Sequence, residues 1–242
     1  MSDGERLDGG FVNEVVRHGD EVHRALGPNA AFVHALLEHL AEWPGAPRLV
    51  RTDGRTEVLT HLPGRSGAEP EVRARLAEPD ALAAVVRLTR QLHDRTAGTV
   101  LAGEQEVVCH HDLDPRNTIC RPDRTGALMP VAFVDWDIAG PGRRIEDVAH
   151  VAWQFVPLGP GTDIDVAADH LRLICDSYGR VDREELIPTV LRWQERCATG
   201  IEAGAAAGDS AMRDLERAGV PEQVRRARTW TDTHAVELRR RL

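Results

Sequence analysis

Three side chains carry the chemistry that this sequence offers: Asp112 and Asn117 in V-V-C-H-H-D-L-D-P-R-N (107–117), and Asp135 in V-A-F-V-D-W-D (131–137). Each stretch is an apolar strand running into a carboxylate, and the first adds an amide five positions later. A hydroxyl that attacks a phosphoryl group needs a carboxylate to orient it and accept its proton, which suits Asp112. Mg2+ is a hard cation that takes oxygen ligands, so Asn117 and Asp135 suit a metal that also holds the phosphates. A neutral amide beside the base adds no further negative charge near the incoming phosphate. The spacing H-x-D-x-x-x-x-N with a later Asp is that of phosphoryl-transfer catalytic loops.

His110, Asp112 and Asn117, then F-V-D-W-D-I-A-G-P-G and I-E-D-V-A, resemble the aminoglycoside phosphotransferase family, small-molecule kinases with a protein-kinase-like fold. The family pattern of H-x-D-x-x-x-x-N, then I-D-W-x-x-A-x-x-G, then a helix opening with D-x-A, is present in order. The resemblance is specific from Val107 to Ala149. It implies a two-lobed α+β architecture with a small antiparallel-sheet N-lobe, residues 1–62, for the nucleotide. A mostly helical C-lobe, residues 63–242, then carries the catalytic loop and the acceptor site. ATP or GTP as phosphate donor, Mg2+ and a small-molecule acceptor follow from the same resemblance. So does a structural role for His110 and Asp147 in tying the catalytic loop to its neighbours. Asp114, two residues after the base, is offered to a cationic acceptor, with an exposed turn acid as the alternative.

The nucleotide side rests on weaker signals. Gly9, Gly10 and Asn13 form a glycine-bearing turn, and in the resembling fold such a turn covers the phosphates with its backbone N–H groups. The strand Glu21–Ala25 follows, where the family carries a phosphate-binding lysine. All 30 basic residues here are arginine, so no lysine exists to fill that place. Arg24, in phase with Val22, takes it on strand alternation, and the change is not conservative because a guanidinium is a planar fork. The helix expected over Pro28–Trp43, with Asn29 as its cap, is where kinases place the glutamate that pairs with that lysine. Glu38 is its mid-helix acid and sits late, so the partner of Arg24 stays unassigned. The hairpin 48–62 ends in L-T-H-L-P-G, and Thr60, His61 and Leu62 resemble the hinge whose backbone contacts the base. Pro63-Gly64 marks the lobe boundary.

Helices are expected over Asp80–Ala97, Ile145–Phe155, Asp163–Tyr178, Arg183–Ala206, Ser210–Arg217 and Pro221–Arg241, with Gly140-Pro141-Gly142 as a break. Asp163, Asp165, Asp169, Glu195 and Glu202 are available to ammonium groups, against the simpler reading of solvated helix faces. The Ala/Gly patch 203–208 marks a close helix approach or a break.

Composition bounds the alternatives. Net charge is −9, from 39 acidic against 30 basic residues, which disfavours nucleic acid as a partner and suits a cationic acceptor. There is no apolar run of membrane-spanning length, and M-S-D-G-E-R does not read as a secretory signal, so a cytoplasmic protein is expected. Cys109, Cys120, Cys175 and Cys197 lack C-x-x-C spacing and read as free thiols. Two alternatives stand beside an aminoglycoside-like acceptor. One is a kinase of a small metabolite such as an amino alcohol or sugar. The other is a non-catalytic nucleotide-binding protein, suggested by the missing lysine.

Overall fold

The structure, a computed structural model, describes residues 5–6 and 15–242. It divides into two compact units, Met1–Asp147 and Val148–Leu242.

The first unit opens with strands β1 (Glu5–Arg6), β2 (Val16–His18) and β3 (Glu21–Ala25), then helix α1 (Ala30–His39), β4 (Leu49–Thr52) and β5 (Thr56–Thr60). The strands form an antiparallel sheet in the order β1-β2-β3-β5-β4. The antiparallel register sets Arg24 of β3 directly across from Glu57 of β5. Helix α1 is shorter than its apolar spacing predicts, and it buries Val33, Leu36 and Leu37. Asn29 precedes it but makes no side-chain cap. Its Nδ2 instead donates to the carbonyls of Asp137 and Ala139, at 3.2 and 2.9 Å. The cap expectation is corrected: a long-range tie to two carbonyls wins over the local one.

Next come β6 (Arg65–Ser66), α2 (Pro70–Leu76) and α3 (Pro79–Thr96). Helix α3 is the scaffold, with Leu82, Val85, Val86 and Leu92 buried at helical spacing. It packs on β7 (Val107–Cys109) and on β9 (Leu128–Phe133), which pairs with β8 (Thr118–Pro122). Gly140–Gly142 is not a break but β10, antiparallel to β7. Only the adjoining strand reveals this, because Gly and Pro carry no strand propensity.

Helix α4 (Arg144–Phe155) leads into the second unit, which is helical: α5 (Ile164–Tyr178), α6 (Leu186–Ala207), α7 (Ser210–Arg217), α8 (Val220–Thr233) and α9 (Ala235–Arg241). The expected last helix is two, parted at His234. In the Ala/Gly patch, a Cβ on Gly204 would meet Met212 Cγ at 2.6 Å, and Gly208 ends α6 at φ +102°. Both functions weighed for the patch are thus present, close approach and termination. Among the described residues no helix is long and apolar enough to cross a membrane.

Candidate active site

Strand β7 ends at Cys109, and the chain turns through His111 in the left-handed region, φ 66°, a rare conformation for a non-glycine residue. Asp147, fully buried, sustains that turn. Its carboxylate accepts the backbone N–H of His110 at 2.7 Å and of His111 at 2.9 Å, and pairs with His93 Nε2 at 3.0 Å. Burial alone would raise its pKa, but the His93 hydrogen bond and the charges of His93, His111 and His110 hold it well below the usual carboxylate range. His110 Nε2 donates to Val134 O at 3.1 Å, which leaves Nδ1 to accept the N–H of Asp112 at 3.3 Å. One imidazole thereby joins the loop that carries Asp112 to the segment that carries Asp135.

Asn117 lies at the end of a 3-10 turn, Pro115–Asn117. Its Nδ2 donates to Asp112 Oδ2 at 2.9 Å and to Asp112 O at 3.0 Å. The amide nitrogen is spent on Asp112, so the amide oxygen is the atom left to meet a cation. The turn itself is capped by Asp114, which accepts from Arg116 N at 2.7 Å and from Arg116 Nε at 2.9 Å. With Asp114 only 6% exposed, its carboxylate belongs to this turn and to Arg116. Burial, then the charge of Asp114, raises the pKa of Asp112 above its ordinary value, which makes it a stronger base.

Asp135 also sits in the left-handed region, φ 65°. Burial, then the charges of Asp137 and Asp112, pushes its pKa up to about 6, against the pull of Arg24 and Arg116. Crowded carboxylates of this kind are relieved by a cation, and Asp112, Asn117, Asp135 and Asp137 are all oxygen donors. The donor set therefore fits Mg2+ better than a soft metal.

Arg24 reaches the same place from the sheet. Its Nε donates to Glu57 Oε1 at 2.5 Å, its NH2 lies 2.6 Å from Asp137 Oδ1 and its NH1 3.7 Å from Asp135 Oδ1. Burial would lower its pKa, but Asp137, Glu57 and Asp135 together raise it. Of the residues expected at the hinge, Thr60 N–H is bonded to Arg48 O and His61 N–H to Asp20 O, while no described backbone carbonyl takes the Leu62 N–H. Gly9, Gly10 and Asn13 lie outside the described residues.

Several site residues escape the sequence reading. Glu57 and His34 do so because the partner of Arg24 is expected among the acids of α1, whereas it lies on β5, and Glu38 is exposed. An acid within the otherwise apolar and Thr-rich strand β5 was the available signal. Arg116, whose guanidinium feels Asp114, Asp112 and Asp135, lacked any. In the second unit the acids offered to an acceptor have other duties. Asp165 pairs with Arg241, Asp169 with Arg172, Glu195 with Arg228 and Glu202 with Arg225, and Asp163 caps α5.

A carboxylate oriented by an amide, a second carboxylate at a strand end and a cation from an antiparallel sheet define a protein-kinase-like phosphotransferase. The chain belongs to the phosphotransferase enzyme family, whose sequence profile matches residues 14–183. It is a small-molecule phosphotransferase. A trifolitoxin immunity protein from Rhizobium leguminosarum bv. trifolii is 30% identical over 208 residues, 74% of this chain and 75% of that protein. A choline/ethanolamine kinase family protein from Mesorhizobium loti shares the fold with a TM-score of 0.65 at 16% identity, over 99% of this chain and 91% of its own. An ethanolamine kinase from Plasmodium vivax does so at 0.63 and 13%, over 89% and 81%. The GDP and kanamycin complex of APH(2")-IIIa matches at 0.62 and 16%, over 93% of each chain. The fold is accordingly protein-kinase-like, with an antiparallel-sheet N-terminal part and a mostly helical remainder.

Proposed function

We propose that this enzyme moves the γ-phosphate of ATP or GTP to a hydroxyl of a small cationic molecule of the aminoglycoside kind. The observation that carries the reading is the Asn117–Asp112 hydrogen bond, 2.9 Å, which fixes one oxygen of a half-buried carboxylate and leaves the other for the acceptor hydroxyl. Residues 1–62 form the nucleotide lobe, with Arg24 on the phosphates and the chain around Thr60, His61 and Leu62 on the base. Gly9, Gly10 and Asn13 contact the phosphates in this reading, and residues 63–242 supply catalysis and acceptor binding. Asn117 and Asp135 hold Mg2+, which when bound neutralises charge on the transferring phosphoryl group. Asp112 orients the hydroxyl and takes its proton; Arg116 and Asp114 set the field around it. The donors and the acidic surface suit a cytoplasmic enzyme.

The net charge of −9 favours a cationic acceptor. A relative named for immunity suits a protective role against an antimicrobial compound. An amino alcohol is the second reading, favoured by the likeness to ethanolamine kinases. Calorimetric titration of ATP and GTP, each with and without magnesium, comes first. Transfer of labelled γ-phosphate to a panel of aminoglycosides, choline, ethanolamine and sugars follows. Transfer to an aminoglycoside that is lost in Asp112→Asn supports the proposal. Transfer confined to ethanolamine or choline selects the second reading, and failure to bind either nucleotide removes both.

A further inference from the structure

Arg24 lines a small cleft together with Gly27, Asn29, Ala30, Val33, Glu57 and Asp137. Its two ends are held differently. The Nε end meets Glu57, which is 1% exposed and cannot leave without unpacking the sheet. The NH2 end meets Asp137, whose side chain is 33% exposed and whose charge acts on Asp135 and Asp112. Glu57 uses its second oxygen on His34 of α1, whose Nε2 donates to Oε2 at 2.5 Å. The carboxylate is thus shared by a strand arginine and a helix histidine, and through it α1 is connected to Arg24.

We infer that Glu57 and His34 are the positioning residues for Arg24, a strand carboxylate and a helix imidazole doing together the task that kinases give to one helix glutamate. The inference rests on the reading of Arg24 as a phosphate contact and deepens it. Glu57 holds the guanidinium by Nε, so the NH1 and NH2 edge faces the catalytic carboxylates and can exchange Asp137 for a phosphate oxygen of a nucleoside triphosphate. A guanidinium suits this division because its fork binds two partners at once, which an ammonium does only as a point charge. His34 fixes the carboxylate plane. The cross-strand register gives the pair its direct opposition, so the arrangement needs no acid on α1.

The test is a double-mutant cycle read by calorimetric titration of MgATP and MgGTP, with circular dichroism and thermal unfolding as folding controls. Glu57→Gln, Arg24→Gln and the double variant are compared with the wild type, and acceptor KM is recorded alongside. Glu57→Gln should weaken nucleotide binding about tenfold when Arg24 is present and less than about twofold when it is absent, with acceptor KM unchanged. Equal weakening in both backgrounds would mean that Glu57 only supports the sheet, and overturns the inference. So does wild-type affinity in Glu57→Gln while Arg24→Gln binds weakly. Wild-type affinity in Arg24→Gln instead overturns the reading beneath it, and the inference with it. If Glu57→Gln does not fold, His34→Asn carries the same cycle, since that side chain is 16% exposed and tolerates change better. About threefold weakening that disappears without Arg24 supports the inference; weakening that persists without Arg24, or no weakening at all, overturns it.

Discussion

The carboxylate of Asp147 accepts the backbone N–H of His110 at 2.7 Å, so a helix residue far along the chain holds the entrance to the loop that carries Asp112. The same carboxylate takes the N–H of His111, whose left-handed backbone would otherwise be unfavourable. Loop geometry and helix placement are therefore one structural event.

That arrangement makes an acid-stability prediction. The pKa of Asp147 is depressed on folding, so its contribution is complete above about pH 4, where the unfolded chain is also ionised. It is lost as pH falls toward the lower folded value, because the unfolded chain binds its proton first. Urea unfolding of Asp147→Asn should show a penalty of about 1–3 kcal/mol at pH 7 that shrinks by pH 3. A penalty independent of pH would contradict the ionised assignment.

Asp112→Asn should lower kcat about 10³-fold while nucleotide affinity changes little, since the proposed role of the group is on the acceptor hydroxyl and not on the nucleotide. The amide keeps the shape of the side chain, so melting temperature serves as the control. Comparable loss of nucleotide affinity would assign Asp112 to binding.

Asp135→Asn is a clean variant because Asn, like Asp, tolerates the left-handed backbone found there. Its side chain is 41% exposed, so the fold should survive the change. The magnesium concentration for half-maximal activity should rise by about 10-fold or more, on the scale of losses around metal sites. An unchanged magnesium titration would move the metal elsewhere, and chelator should abolish wild-type activity reversibly.

Gly67 donates its N–H to Thr118 O at 3.1 Å, beside the turn that carries Asn117. A Cβ there would meet Pro115 O at 2.1 Å and Pro115 C at 2.6 Å, backbone atoms that cannot swing away. Gly67→Ala should therefore cost about 1–3 kcal/mol in thermal or urea unfolding and reduce kcat by displacing Asn117. Wild-type stability and rate together would show that the turn moves freely.

Sequence alone determined the elements whose signals lie within a few residues. The spacing of Asp112 and Asn117, the apolar periodicity of α3 and the phase of Arg24 on its strand are all written locally, because backbone geometry repeats over one or two turns or pleats. The absence of lysine was equally plain and pointed to an altered phosphate site. Tertiary structure alone decided what Arg24 pairs with, because strand alternation gives a face but not a cross-strand register. Glu57 lies 33 residues from Arg24 and becomes its partner only once β3 and β5 are aligned. Asn29 left its expected cap for two carbonyls over 100 residues away, and Gly140–Gly142 became a strand through the strand beside it. A buried polar group goes to whichever partners the folded chain brings near it, and for Asn29 and Glu57 that proximity is not a local property.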